Sequence, residues 1–341
     1  MVRRGFKECT PLYLLNKVST IVFLMEALLE TVPYDKKSSD VIENLFIFCV
    51  MWAFGGPMVV DKGGDFRKFF SENFNTTFGQ KFPKDKPCFD YMFSVADNEF
   101  VEWSTKVGEY QPIPIGGGPG ETPFTQLFVE TSDTVRMTYL MNLLARKGRY
   151  CMLVGSGSGK TSLISQYLKS LDKDVDGFLT TTINMSYYTD SKRLQSDLEL
   201  PIDKRSGRRY GPPATKRLIV FIDDLNLPYL ETYGTQNAIA LLTQHMSYGN
   251  MFDREDLGRK ELVDMQYLTA MNPTSGSFTI CERAQRHFAT FACLMPSKQD
   301  MGLMFSSLLA GHVMGFETKI VEGVDKIVDA TLSRNDFYLR Q

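Results

Sequence analysis

Chemistry is most legible where an apolar run meets a glycine-rich turn: Cys151-Met152-Leu153-Val154-Gly155-Ser156-Gly157-Ser158-Gly159-Lys160-Thr161-Ser162. A strand, a tight glycine turn and then a helix-compatible segment (163–171) make the plan of a phosphate-binding loop. Glycines let successive N–H groups point at phosphate oxygens, the lysine supplies a point charge, and the threonine hydroxyl suits a magnesium ion. The positive end of the following helix faces the same anion. Gly155, Ser156, Gly157, Ser158, Gly159, Lys160, Thr161 and Ser162 are therefore the candidate phosphate-binding residues. The spacing departs from the usual pattern. Four residues normally separate the first glycine from the Gly-Lys pair, and counting back from Gly159 places Val154 there. Either Val154 is drawn into a position that suits glycine, or Gly155 opens a tighter, shorter arc.

The second anchor is Arg217-Leu218-Ile219-Val220-Phe221-Ile222-Asp223-Asp224. An apolar strand delivering an acid at its carboxyl end is where a phosphate-loop fold places its metal-associated carboxylate, here Asp223. It follows the Gly-Lys-Thr turn at about the interval such folds use. Asp224 stands where many ATPases carry a glutamate that orients water. Aspartate keeps the charge but is one methylene shorter, and a shift of about 1 Å in such a group costs on the order of a hundredfold in rate. Asn272, ending the run Ala270-Met271-Asn272-Pro273, reads as either a water-orienting polar group at the sheet rim or an Asn-Pro turn. Arg283 and Arg286, three residues apart, share a helix face. That face is either solvated or, in a ring ATPase, the arginine finger for a neighbour's site. The basic stretch Lys204-Arg205-Ser206-Gly207-Arg208-Arg209 reads as a charged surface loop. His245, His287 and His312 show no metal-ligand spacing.

These residues need a scaffold, and the pattern around them predicts an α/β domain with a mainly parallel sheet. Candidate strands are 150–154, 178–185, 218–223, 266–271 and 290–295. Helices are expected at 160–171, 190–198 and 235–246, with polar inserts at 201–216 and 249–264. The chain turns helical again from Ser297, at 301–309 and 320–332. The first part reads as a small helical domain. Leu15, Val18, Val22, Met25 and Leu29 recur at helical spacing opposite Lys17 and Glu26, predicting an amphipathic helix with those apolar residues inward. Ser38, Ser39 and Asp40 are candidate caps for a second helix, apolar nearly all round from Leu45 to Phe54 and so buried on most sides. Segments 89–91 and 100–107 suggest a short strand pair, and Trp52 and Trp103 read as core. The Pro/Gly-rich stretch 111–124 reads as a linker.

Composition excludes several classes. With 341 residues, a formal net charge of -2 and 43% hydrophobic residues, the chain is long enough for two domains and too nearly neutral for a sequence-independent nucleic-acid binder. Six scattered cysteines suggest neither a disulfide framework nor a zinc site, and point to a reducing compartment. The longest apolar run is about half what a bilayer needs, so no membrane partner is expected.

Several longer segments carry a family resemblance. Asp203 to Pro213, Phe221-Ile222-Asp223-Asp224-Leu225-Asn226-Leu227-Pro228, Tyr233-Gly234-Thr235-Gln236 and Met271-Asn272-Pro273 followed by Gly276-Ser277-Phe278-Thr279 closely resemble the third AAA+ module of axonemal dynein heavy chains, outer-arm type. The first part, with Trp52-Ala53-Phe54-Gly55-Gly56 and Phe89-Asp90-Tyr91, resembles the lid of the second module. The resemblance implies an AAA+ P-loop NTPase large domain with a central parallel sheet at 125–296, a helical lid of the preceding module at 1–110, and the start of the following lid at 297–341. It implies ATP or ADP with Mg2+ as cofactors, Val129 and Thr131 on the loop along the adenine, and Thr161 and Asp223 as the metal residues. Arg283 or Arg286 would serve the second module's site, so the isolated chain would bind nucleotide yet hydrolyse it very slowly. The resemblance also implies a regulatory site within a minus-end-directed microtubule motor of the cytoplasm, cytoskeleton and ciliary axoneme. The implied partners are the other modules of the same heavy chain and, through the whole motor, intermediate and light chains and microtubules. No coiled-coil heptad run occurs, so direct microtubule binding by this stretch is not expected. Two other readings compete. One is a structural ring segment that no longer binds nucleotide, favoured by the short loop and Asp224. The other is a free-standing P-loop kinase or GTPase, which leaves the lid-like first part unexplained.

Overall fold

The computed structural model describes residues 6–61, 64–78, 81–82, 86–111, 113–115, 122–123, 127–273 and 280–339. Most of the Pro/Gly linker and the Gly276 to Thr279 segment lie outside the described residues. The elements are α1 (Leu14–Thr31), α2 (Ser39–Gly55), β1 (Val60–Asp61), β2 (Gly64–Asp65), α3 (Phe66–Phe78), β3 (Tyr91–Ser94), β4 (Glu99–Glu102) and α4 (Ser132–Arg146). After them come β5 (Tyr150–Val154), α5 (Lys160–Ser170), β6 (Phe178–Asn184), α6 (Ser191–Glu199), β7 (Asp203–Ser206), β8 (Arg209–Gly211), β9 (Arg217–Asp223), α7 (Asn237–Tyr248), β10 (Asn250–Phe252), β11 (Arg259–Leu262) and β12 (Met265–Met271). The last are α8 (Glu282–Gln285), β13 (Phe288–Ala292), α9 (Lys298–His312), α10 (Thr318–Val321) and α11 (Val324–Leu339). No helix among the described residues is long and apolar enough to cross a membrane.

The chain divides into two compact units, residues 1–102 with 137–294, and residues 103–136 with 295–341. At the centre of the first unit is a five-stranded parallel sheet in the order β13-β5-β12-β9-β6. Every residue of β12 and β13 is buried, and β9 is buried from Leu218 to Ile222. Central parallel strands are covered on both faces, which is why they read as unbroken apolar runs. Edge strand β6 alternates instead, with Thr180, Thr182 and Asn184 turned outward. The last strand begins two residues earlier than its apolar run suggests and ends at Ala292.

The two polar inserts are where the sequence reading falls short. They form a second sheet, β10-β11-β8-β7, rather than a charged loop and a polar break. Charges of the two inserts pair around it: Arg205 with Asp264 at 2.5 Å, Arg208 with Asp256 at 3.0 Å, and Lys260 with both Asp253 at 2.6 Å and, on α6, Glu199 at 3.1 Å. The charges hid the strands, because only Met251, Leu262 and Tyr210 of this sheet reach the core while most of its side chains are polar. His245 on α7 ties the two sheets. Its Nε2 lies 3.2 Å from the Leu262 carbonyl and must donate to it, so Nδ1 accepts from the Tyr267 hydroxyl.

Helix α1 is inverted relative to its apolar spacing. Its buried residues are Asn16, Lys17, Thr20, Leu24, Ala27 and Leu28, while Leu15, Val18 and Val22 are 64%, 46% and 55% exposed. Polar anchors decide the face. Asn16 Nδ2 donates to the Gln285 carbonyl at 2.9 Å, and Lys17 is paired with Glu8 while lying 5.6 Å from the Phe54 ring centre. Arg149, across the interface, bonds Glu26 at 2.8 Å and covers Phe23. Helix α2 starts on Ser38, whose Oγ accepts from Val41 N at 3.3 Å, and buries Trp52 among Phe48, Phe89 and Phe291. Strands β3 and β4 form the expected antiparallel pair, followed by buried Trp103.

One buried cation secures this first segment to the parallel sheet. Arg67 on α3 is 6% exposed, and its Nη2 donates to the carbonyls of Gly56 at 3.1 Å and Ala292 at 3.0 Å. Ala292 N in turn donates to Gly56 O at 2.9 Å. Gly56 has no room for a side chain, because a Cβ would lie 2.3 Å from the Trp52 carbonyl. Burial draws the Arg67 pKa down to about 10, so the guanidinium remains charged at neutral pH. In the second unit, Val313, Val324, Val328 and Leu332 form a small core joining α9 and α11. Ser297 opens α9 with a capping box to Asp300.

Candidate nucleotide site

The five parallel strands end at one rim, at Ala292, Val154, Met271, Asp223 and Asn184 in spatial order. Chain order reverses beside β5: β6 is reached across the sheet, and β13 is added on the far side. Ligands of open α/β sheets bind outside the carboxyl ends of strands at such a reversal. The glycine turn leaves β5 there.

Val154 remains in the strand. It pairs with Met271 and Ala292 and is fully buried. The turn therefore opens at Gly155, whose N donates to Met271 O at 3.2 Å. This settles the geometric question in favour of the shorter arc, and a β-branched residue is spared a left-handed conformation. Gly157 and Gly159 take φ of 59° and 69°, with open space where a Cβ would stand. Gly155 is the opposite case, since a Cβ would fall 2.1 Å from the Cys293 carbonyl and 2.7 Å from Ser158 Oγ. That hydroxyl is buried inside the arc without a hydrogen-bond partner among the described residues. The loop is thus packed from behind by Cys293, whose Sγ lies 3.7 Å from Ser158 O.

Helix α5 begins at Lys160, and Leu163 N closes its first turn on Gly159 O at 3.0 Å. Lys160 Nζ donates to Gly155 O at 2.6 Å. Thr161 Oγ1 donates to Asp223 Oδ2 at 2.8 Å, across 62 residues of sequence. Asp223 Oδ1 accepts from Asp224 N at 3.0 Å. Asp224 sits at φ 53°, a left-handed position that aspartate tolerates better than most residues. Its pKa is raised, first by desolvation and then by the Asp223 carboxylate, against the pull of Lys160. Asn272 follows Met271 at the same rim, and its carbonyl accepts from Asn226 Nδ2 at 2.8 Å. Lys160, Thr161, Asp223, Asp224 and Asn272 thus converge, with Gly155 to Gly159 as the floor and Ser162 in the first turn of α5. The donor set fits a phosphate chain with a hard cation. Thr161 and Asp223 supply oxygens of the kind Mg2+ takes, and the loop supplies N–H groups, a lysine charge and a helix start.

Other candidate residues lie apart. Arg283 and Arg286 precede β13, whose Phe288 pairs with Tyr150 at the beginning of β5. They occupy the opposite rim of the sheet, a full strand or about 16 Å from the loop. Arg283 lines a 590 Å³ cavity against α7 with Gln236, Gln244 and Tyr248, and Arg286 Nε lies 3.3 Å from His287 Nε2. Val129 and Thr131 belong to the second unit, both buried. Thr131 precedes α4 as a reciprocal cap, its N donating to Thr134 Oγ1 at 2.8 Å and its Oγ1 accepting from Thr134 N at 3.3 Å. Sequence reasoning missed Cys293, which reads simply as a buried apolar residue and meets the loop only through tertiary contact. It also gave Asn226 no role, although an amide two residues after an acid pair that ends an apolar run is a signal.

Comparison with known proteins agrees with this geometry. Residues 118–296 match the family model of the P-loop containing dynein motor region, and residues 1–105 match that of the dynein heavy chain AAA lid domain. Dynein axonemal heavy chain 9 of Homo sapiens is 37% identical over 338 residues, covering 97% of this chain and 7% of the relative. The flagellar outer arm dynein beta chain of Chlamydomonas reinhardtii is 38% identical over 343 residues, covering 98% and 7%. The ciliary dynein beta chain of Tripneustes gratilla is 39% identical over 316 residues, covering 92% and 7%. The chain spans about 7% of the length of these relatives. A lid, a parallel sheet with a glycine loop at its reversal, and paired Thr161 and Asp223 are thus the local form of a known motor region, and the chain belongs to the axonemal dynein heavy chain family.

Proposed function

We propose that this chain is an adenine-nucleotide-binding AAA+ module of a dynein motor ring, regulatory rather than the principal site of hydrolysis. The supporting observation is the contact of Thr161 Oγ1 with Asp223 Oδ2, which assembles a magnesium position beside Lys160. ATP or ADP is held by the N–H groups of Gly155 to Thr161 and the Lys160 charge; the adenine-loop role of Val129 and Thr131 rests on the family resemblance. The metal, when bound, neutralises phosphate charge. Asp224 and Asn272 hold water near the terminal phosphate. Slow turnover follows from Asp224, shortened and left-handed, and from arginines on the far rim. Arg283 and Arg286 act on the preceding module's site in this reading. By its relatives' names the whole motor works in cilia or flagella, with the other ring modules as direct partners and microtubules, intermediate chains and light chains engaged by the full heavy chain.

Equilibrium binding of a fluorescent ADP analogue to the purified chain tests the reading. We expect saturable, magnesium-assisted binding, lost at least tenfold in Lys160→Ala, with ATP turnover far below the ordinary enzyme range of 1–1000 per second. Absence of binding would leave the structural ring segment as the better account. Ordinary turnover abolished by Lys160→Ala would overturn the regulatory assignment.

A further inference from the structure

Along the same rim, beyond edge strand β6, lies a second cavity of about 320 Å³ lined by Tyr187, Tyr188, Thr189, Asp190, Tyr229, Glu231 and Asn237. We propose that it is a recognition pocket for a lysine or arginine side chain presented by a protein partner.

Three tyrosines form its walls. The Tyr187 ring stands edge-on to both Tyr188 and Tyr229, each at 5.3 Å between ring centres. They are 48%, 88% and 48% exposed, an unusual display of aromatic surface on turns. Aromatic faces attract cations through the ring quadrupole. Two carboxylates complete the pocket, and none of the side chains lining it is cationic. Asp190 commits one oxygen to the α6 cap, accepting from Arg193 N at 2.7 Å, and Glu231 is steadied by Asn237. Acid and ring together select a positive, partly apolar group over an anion or an aliphatic chain.

The platform is preorganised. Ser186 and Thr189 lock the turn that carries Tyr187 and Tyr188, with Ser186 N on Thr189 Oγ1 at 2.9 Å and Thr189 N on Ser186 O at 3.0 Å. Tyr229 N donates to Tyr187 O at 3.1 Å, and Met185 N donates to Asp223 O at 3.0 Å. The pocket is therefore built on the strand end that carries Asp223 and Asp224. Fixed turns bearing exposed tyrosine match the composition of interface hot spots. This inference stands independently of nucleotide binding at the glycine loop.

The test is fluorescence anisotropy of a labelled Gly-Ser-Lys-Ser-Lys-Ser-Gly peptide against the purified chain, beside the same peptide with both lysines acetylated. Acetylation removes the charge while keeping the stem. We expect saturable one-to-one binding, at least about fivefold weaker for the acetylated peptide. Tyr188→Ala, at a largely exposed residue, should weaken the lysine peptide about threefold or more while Tyr188→Phe keeps it, and Glu231→Gln should weaken it and flatten its salt dependence. Equal binding of both peptides, no saturation, or unchanged affinity in Tyr188→Ala with the chain still folded by circular dichroism would each overturn the assignment.

Discussion

Gly155 shows how a single missing side chain shapes the loop. Its neighbours Gly157 and Gly159 are glycine because their φ angles are positive, whereas Gly155 is glycine because the Cys293 carbonyl occupies the space of a Cβ. Gly155→Ala has to displace the Cys293 carbonyl and the Ser158 hydroxyl. We expect it to cost about 2–4 kcal/mol in urea denaturation, and to weaken nucleotide binding at least tenfold. A loss below about 1 kcal/mol would show that the loop can relax away from β13. The shortened arc makes a second test possible. Inserting one glycine before Gly155 separates the turn from Cys293 and restores the usual count, so nucleotide affinity should rise; unchanged or weaker binding would show that the short arc is no defect.

Among the elements, α3 carries the most consequential residue outside the site. Arg67 satisfies two carbonyls that water does not reach, and its charge is cushioned by the Phe89 ring at 5.0 Å. Arg67→Met keeps most of the volume but strands the Ala292 carbonyl and leaves Gly56 O with only its bond from Ala292 N. The expected loss is about 2–5 kcal/mol by chemical denaturation. Because Ala292 leads directly into Cys293 behind the loop, nucleotide affinity should fall as well, even though Arg67 touches no ligand. Affinity unchanged in a destabilised Arg67→Met protein would show that the tie is structural alone.

Over the whole molecule, stability should depend on pH through two histidines. His245 and His287 both have lowered pKa values, His245 from burial and His287 from burial and then Arg286. A lowered folded pKa favours the neutral ring. Their contribution is complete above the unfolded value near 6.5, and is lost as pH falls below it and the unfolded chain takes up protons. Urea midpoints should drop between about pH 7 and pH 5, with a shallower slope in His245→Gln. An equal slope in that variant would place the effect elsewhere.

The same scale shows what the sequence could and could not convey. The parallel sheet was legible because central strands are covered on both faces, so β9 and β12 are written as continuous apolar runs. The loop and Asp223 were legible because phosphate chemistry restricts residue types. Helix α1 was misread since apolar spacing gives a face but not the direction it points, and that is decided by the Asn16 bond to Gln285 across 269 residues and by the pairing of Lys17 with Glu8. The insert strands were hidden because most of their side chains are polar. The choice between a displaced Val154 and a shorter arc needed the register of β5 against β12 and β13.

The Arg67 tie also bears on how such a chain can be cut and rejoined. Sequence families divide it near residue 105, yet its first 102 residues share a compact unit with 137–294, closed by a guanidinium that clasps carbonyls from both sides of that division. Heredity and mechanics thus draw their borders in different places. A hybrid made by exchanging everything after residue 110 for a distant relative's sequence would press Arg67 against a foreign strand, whereas one joined after residue 294 would inherit the clasp intact. The second should express as a soluble, cooperatively melting protein and the first should not.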